Sequence, residues 1–346
     1  MLTVLEHLPD GFLTARGPEL ADLLGGPALV HLPGERAQPL FVSILLHGNE
    51  ITGLHAVQQL LSRYRGKALP RAMTLFIGNV EAARYGLRRL PEQADFNRIW
   101  PDEAGRLHAP PSVETRMAGQ VLEIMAKRRP FAAVDVHNNT GHNPHYAAIN
   151  RLEGRWLQLA RAFAPAALYF RYPPGTLAMG FGALCPAVTL ECGIVGAGSG
   201  AAHAAAYLDN CLRMTTIADE TPPDEALRLY RTVACVTVPD DVSVTVGDAA
   251  PGQLHLRNDL ESLNWQTLPA GTALGRVSGV AAMPLEVRDV NEQCCTAQYL
   301  RLDGDQLRLR QSTTPAMLST QIRVVRQDCL CYLLERVGRP HGAHDG

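Results

Sequence analysis

Apolar residues fall along the first two-thirds of the chain in two alternating rhythms. Residues 39–46 (PLFVSILL) form a continuous apolar run that stops at His47-Gly48. Such a run, too short for a buried helix of ordinary length, fits a strand covered on both faces. Ile51, Leu54, Val57, Leu60 and Leu61 then recur at helical spacing. Residues 73–80 (MTLFIGNV) give a second short run. Ser112 stands where a cap would start a helix carrying Val113, Met117, Val121, Ile124 and Met125. Residues 131–137 (FAAVDVH) and 186–193 (PAVTLECG) read as further buried strands, and an Ala-rich stretch from Ser199 to Leu212 reads as a helix. This alternation predicts an α/β fold, a mostly parallel central sheet flanked by helices. Polar residues stand where the runs stop: His47, Asn79, His137 and Glu191. Ligands of open α/β sheets bind outside the carboxyl ends of the strands, so these positions point to one site.

The rhythm changes after Thr221-Pro222-Pro223. Residues 233–246 (VACVTVPDDVSVTV) alternate and are rich in β-branched side chains. Turn signals follow at Pro251-Gly252, Pro269-Ala270-Gly271 and Asp303-Gly304-Asp305, with QLRLR (306–310) and QIRVV (321–325) as further expected strands. The pattern predicts an α/β domain over 1–220, which holds the candidate site, and a smaller β-rich domain over 221–346. The final stretch, 338–346, reads as a disordered tail.

Composition narrows the function without naming it. The chain has 346 residues, 46% hydrophobic and 19% charged, with a formal net charge of -2. That length allows a large core, and that balance gives no basis for binding nucleic acid or an anionic membrane surface. The start, MLTVLEHLPDGF, lacks the basic residues and long apolar run of a signal peptide, and no segment is long enough to span a bilayer. A cytoplasmic protein is expected. The eight cysteines show no paired CxxC spacing and are expected to be reduced thiols.

Chemistry enters at His47-Gly48-Asn49-Glu50. A first helical turn there would put the imidazole and the carboxylate on one face, within reach of one cation. A catalytic zinc site takes three protein ligands and keeps a position open for water. His137, at the end of its apolar run, is the candidate third ligand, with Asp135 on the same strand face behind it. An HxxE pair alone also fits a helix start with a solvated Glu. Glu191 strengthens the metal reading, because a carboxylate inside an apolar strand needs a partner or a task. The bland alternative for it is an ion pair with an Arg near position 88. His142 and His145 offer ligands for a second site, but one metal is satisfied without them and they read as loop polar residues.

His47-Gly48-Asn49-Glu50, Asn79, Arg88, Asp95-Phe96-Asn97-Arg98, Asp135-Val136-His137 and Glu191-Cys192-Gly193 follow one another in an order that resembles the succinylglutamate desuccinylase/aspartoacylase family, within the zinc carboxypeptidase superfamily. The matching motifs span about residues 40 to 200. The resemblance implies one zinc per chain on His47, Glu50 and His137, with Glu191 as general base. It implies that Asn97 and Arg98 hold a substrate carboxylate, and that an Arg nine positions after Asn79, Arg88, polarises the scissile carbonyl. Arg89 is adjacent and competes for that role. Val80 stands where the family often has Pro. The family's substrate contacts shortly before the catalytic Glu have no aligned counterpart; Arg171 and Tyr172 are the nearest candidates. The β-rich region looks like the family's second domain and is expected to limit access to the site. The expected partner is a small molecule bearing a carboxylate, such as an N-acyl aspartate or glutamate.

Other readings compete. A zinc carboxypeptidase acting on short peptides would use the same chemistry. Residues 196–201 (GAGSGA) fit a loose dinucleotide-binding pattern after a strand, but no second strand ends in an acid at the expected distance. Ser199 has glycines directly beside it, not two residues away as a nucleophile elbow requires. A non-catalytic metal-binding module would hold the ion with Glu191 turned elsewhere.

Overall fold

The computed structural model describes residues 2–102, 104–247, 251–279, 282–327 and 329–338. The stretch expected as a disordered tail lies outside them except for Gly338. The chain divides into two compact units. One comprises Met1–Asn138 with His145–Arg228, the other Asn139–Pro144 with Leu229–Gly346.

The first unit is a sheet with helices. Its strands are β1 (Thr3–Leu5), β2 (Ala28–Leu32), β3 (Gly34–Ile44), β4 (Leu69–Ile77), β5 (Ala132–His137), β6 (Tyr146–Ile149), β7 (Ala166–Tyr169) and β8 (Ala187–Glu191). They lie in the order β1-β2-β4-β3-β5-β8-β6-β7. The four central strands β4, β3, β5 and β8 run parallel, and β2 and β6 join them antiparallel. The expected fold class is therefore what the chain adopts. Residues 39–44 of β3 and all of β5 and β8 are buried, as continuous apolar runs between helical layers require.

The helices are α1 (Leu20–Leu24), α2 (Thr52–Arg63), α3 (Val80–Arg84), α4 (Val113–Arg128), α5 (Gly154–Phe163), α6 (Leu177–Phe181) and α7 (Gly198–Arg213). Ser112 caps α4 as expected, its hydroxyl accepting from Glu114 N and Thr115 N. Val113 departs from the expected burial: it lies four residues before Met117, on the same side as Met117, Val121 and Met125, yet as the first residue of the helix it is exposed. The weaker elements β6, β7 and α5 carry no motif and were not expected from the sequence.

The second unit is β-rich. Strand β9 (Arg228–Thr237) pairs antiparallel with β13 (Glu286–Asp289) and β17 (Cys331–Arg336), and β17 with β16 (Thr314–Ala316). A five-stranded sheet runs β10 (Val244–Val246), β11 (Leu254–Leu256), β12 (Ala273–Val277), β15 (Gln306–Leu309), β14 (Leu300–Asp303). Leu254, Leu256, Val287, Leu307 and Leu333 contribute to one buried core. Among its described residues are also two short α-helices, α8 (Thr296–Tyr299) and α9 (Ile322–Gln327). The second corrects the expected strand QIRVV. Ile322 and Val325 are also three apart, a helical spacing, and a run this short does not separate the two periods. Ser319 Oγ accepts from Gln321 N at 3.0 Å where the helix begins, and Arg326 donates to Pro239 O at 2.8 Å and to Val242 O.

All eight cysteines are free thiols. Among the described residues no helix is long and apolar enough to cross a membrane.

The glycine-rich loop before α7 has a packing role. A Cβ on Gly200 would lie 2.2 Å from Cys192 O, at the exit of β8, whereas one on Gly198 would meet nothing within 4 Å. Close approach of helix to strand accounts for Gly200 without a nucleotide. Replacing Gly200 with Ala is expected to cost about 1–3 kcal/mol despite the better helix propensity of Ala. Gly198→Ala is expected to be neutral or stabilising by up to about 1 kcal/mol. Chemical denaturation of the two variants checks the contrast.

Candidate metal centre and active site

Three adjacent parallel strands end at the same edge. His137 is the last residue of β5 and Glu191 the last of β8, and the two are register partners. Strand β3 stops at Ile44, and Leu45 then takes a left-handed backbone conformation with φ 57°. That is costly for a buried leucine and persists where neighbours over-determine it. Here the next strand's exit holds it: Gly78 N donates to Ile44 O at 3.0 Å and Asn79 N to Leu45 O at 2.6 Å. The redirected chain forms a tight turn over 47–50, closed by Glu50 N to His47 O at 3.1 Å. It is a turn ahead of α2 rather than the expected first helical turn, yet it gives the same three-residue proximity. Gly48 is required there, since a Cβ would stand 2.2 Å from Ala83 N.

The turn and strand end bring His47, Glu50 and His137 together, all buried, with ligand atoms within 4.8 Å of one another. His47 Nδ1 is 2.7 Å from Glu50 Oε1, and His137 Nδ1 is 2.9 Å from Glu50 Oε2. Each imidazole meets a carboxylate on its other nitrogen. His137 Nε2 lies 2.7 Å from Asp135 Oδ2, and His47 Nε2 lies 3.2 Å from Asp95 Oδ1. The carboxylates on the Nε2 side orient each ring so that both Nδ1 atoms face Glu50, where a metal ion could stand in place of a proton. Two imidazoles and a carboxylate in this arrangement can hold a metal ion, and the donor set suits zinc chemistry.

Charge sets the next condition. Glu50, Asp95, Asp135 and Glu191 bring four carboxyl groups to this edge, against the guanidiniums of Arg88 and Arg98. Burial opposes ionisation of Glu50, but His47 and His137 outweigh it and hold the carboxyl well below its usual range. Burial likewise works against a charged His137, and Asp135 and Glu50 more than offset it, so its pKa lies well above the ordinary imidazole value. Partial burial works against a charged Asp95 too, and His47, Arg88 and Arg98 hold it low. The carboxylates of Asp135 and Glu50 thus favour positive charge on His137. A divalent cation fulfils the same requirement.

Glu191 is different. Burial pushes its pKa up to about 8, with His137 and Arg88 opposing and Glu50 and Asp135 adding to the rise. Its Oε2 is buried without a hydrogen-bond partner. The bland alternative, an ion pair with a nearby Arg, is absent for Glu191 among the described residues. Arg88 instead pairs with Asp95 Oδ2 at 3.1 Å and lies 3.9 Å from Glu50 Oε1.

The structure separates Arg88 from Arg89. Arg88 is half-buried beside the cluster, whereas Arg89 is exposed and donates to Gln93 O. Asn97 is buried, its N–H on Asp95 Oδ1 and its Oδ1 accepting from Leu177 N. Arg98 Nη1 donates to Asn97 O, and its charge reaches Asp95. Asn79 stands at the same sheet edge but acts as a cap, accepting from Ala82 N and donating to Gln93 Oε1. His142 is exposed and bonds Glu261 within the second unit, and His145 stacks on His203. Arg171 is exposed and Tyr172 half-buried.

Two residues had no role assigned from sequence. Asp95 accepts from His47, Arg88 and the Asn97 backbone at once. Its position two before Asn97 was a usable signal. Asn138 follows His137 directly, and its amide links three segments. Nothing in the sequence distinguishes it from its neighbour Asn139.

With this geometry in place, the likenesses to known proteins are informative. Residues 38–214, just over half of the chain, match the model of the succinylglutamate desuccinylase/aspartoacylase catalytic domain. The chain belongs to this family. A search of curated proteins finds no match. Among solved structures, the succinylglutamate desuccinylase of Chromobacterium violaceum is 18% identical with a TM-score of 0.54, covering 88% of this chain and 87% of its own. A succinylglutamate desuccinylase/aspartoacylase from Rhodobacter sphaeroides is 16% identical with a TM-score of 0.59, covering 90% of this chain and 89% of its own. At such identities the likeness establishes a shared fold. Family membership indicates a desuccinylase/aspartoacylase-type hydrolase.

The buried carboxyl of Glu191 gives this family member a pH signature. Its folded pKa, about 8, lies above its usual 4.5, so folding takes up a proton between those values and stability falls as pH rises through that window. In chelator-treated protein, Glu191→Gln removes the penalty. The variant is expected to match wild type near pH 4.5 and to exceed it by about 2–4 kcal/mol at pH 8. Urea midpoints across that range check this; parallel curves for the two proteins contradict it.

Proposed function

We propose that this family member is a zinc-dependent amidohydrolase that cleaves the amide bond of a small N-acyl amino acid carrying a free carboxylate. The observation that carries the reading is the buried Glu191 carboxyl, with one oxygen lacking a hydrogen-bond partner, on the strand beside a His-Glu-His donor set. Structural carboxylates are paired when buried, and one left partly unpaired at a metal-competent edge suits proton transfer.

His47, Glu50 and His137 would hold the zinc, with Asp95 and Asp135 orienting the imidazoles. A bound zinc supplies Lewis acidity and lowers the pKa of water toward about 7. Glu191 then takes a proton from the attacking water and returns it to the departing amine. Arg88, beside Glu50, donates to the carbonyl oxygen as negative charge develops. Arg98 and Asn97 receive the substrate carboxylate, a role in which a guanidinium fork outperforms an ammonium. The pairing of Arg88 with Asp95 keeps that guanidinium oriented before substrate arrives.

The test is turnover of N-acyl aspartates, N-acyl glutamates and short peptides by the zinc-loaded protein. Hydrolysis of the N-acyl amino acids with kcat/KM well above that for peptides is expected; the reverse preference would make it a carboxypeptidase. Glu191→Gln should lower kcat by at least about 100-fold while zinc remains bound. Arg98→Lys should raise KM by roughly tenfold or more, the loss of one charge-assisted hydrogen bond, with a smaller change in kcat. Retained hydrolysis in the Glu191 variant removes its assigned role.

A further inference from the structure

Asn138 holds a place in the site whose meaning rests on the zinc reading above. This residue is 5% exposed and every polar atom of its amide is engaged. Its backbone N–H donates to Glu50 Oε2 at 3.1 Å. Its Nδ2 donates to Thr52 Oγ1 at 2.8 Å and to Gly193 O at 2.8 Å, and its Oδ1 accepts from Thr52 N at 3.3 Å.

These bonds join the three segments that build the site. The first is the turn bearing His47 and Glu50, with the start of α2. The second is the end of β5, where His137 immediately precedes Asn138. The third is the exit of β8, where Gly193 lies two residues beyond Glu191. Helix α2 lacks a local side-chain cap, because Ile51 stands at its N-cap position. Its first amide, Thr52 N, is left without an intrahelical partner by helix geometry. Asn138 satisfies that amide from another strand. The helix start that follows Glu50 by two residues is thereby tied to the residue that follows His137.

We propose that Asn138 is a positioning residue for the metal centre and for Glu191. Its backbone fixes one oxygen of Glu50, and its side chain fixes the spacing between the Glu50 turn and the β8 exit. An amide is needed because the bridge requires two donors to Thr52 Oγ1 and Gly193 O and an acceptor for Thr52 N. Asp supplies the acceptor without the donors and would place a further negative charge beside Glu50. Leu or Ala supplies neither.

The experiment measures zinc affinity of metal-free wild type, Asn138→Ala and Asn138→Asp by competition with a chromophoric chelator, with the visible spectrum of the cobalt-substituted proteins as a second readout. Asn264→Ala serves as a control. That side chain bridges Leu318 N and Leu318 O inside the second unit, is likewise buried and makes no hydrogen bond to a residue of the site, so its loss tests a general fall in stability. Both Asn138 variants are expected to bind zinc about 10–100-fold more weakly and to shift the cobalt bands, and the Asp variant to show lower kcat at little-changed KM. The control is expected to keep wild-type affinity and spectrum. Wild-type affinity in folded Asn138→Ala, or an equal loss in the Asn264 control, overturns the positioning role while leaving the zinc reading intact. Failure of wild type itself to bind zinc overturns both.

Discussion

The organising constraint is the burial of ionisable groups at one edge of a parallel sheet. Two imidazoles and the carboxylates Glu50, Asp135 and Glu191 are each less than a tenth exposed. Isolated burial of any one would be prohibitive, and together they are tolerable because each imidazole stands between two carboxylates. The arrangement is conditional on positive charge at its centre, supplied by protons or by a metal ion. Glu191 sits just outside that pairing, and its displaced pKa follows from the exclusion. The same pairing that stabilises the centre thus leaves one oxygen of Glu191 without a hydrogen-bond partner.

Backbone geometry holds this charge arrangement in place. Parallel pairing of β3, β5 and β8 delivers three chain exits side by side. The left-handed Leu45 turns the first exit, and Gly48 lets the turn lie against α3. At the third exit, Gly200 lets α7 approach Cys192 O. Asn138 ties the exits to one another. Residues with no chemical role therefore fix the site as firmly as those that carry it.

Much of this was legible in the sequence. Continuous apolar runs marked β3, β4, β5 and β8, because strands buried on both faces have no polar alternation to obscure them. Polar residues at the ends of those runs marked the donor set. What escaped depended on tertiary contact. The choice between Arg88 and Arg89 rests on which side of one short loop faces Asp95. Asn138 and Asn139 are chemically identical until the fold places one of them under Glu50. The strand expected at QIRVV became a helix because five residues satisfy two periods equally. Short strands such as β6 and β7, four residues each, lie below the length at which a pattern is distinctive.

The most direct test of the account is metal content by elemental analysis, on wild type and on a His47→Ala variant purified without added metal. The account predicts about one zinc per wild-type chain and its loss in the variant, since His47 supplies one of three ligands. No metal in either protein, and no uptake when zinc is supplied, would contradict it.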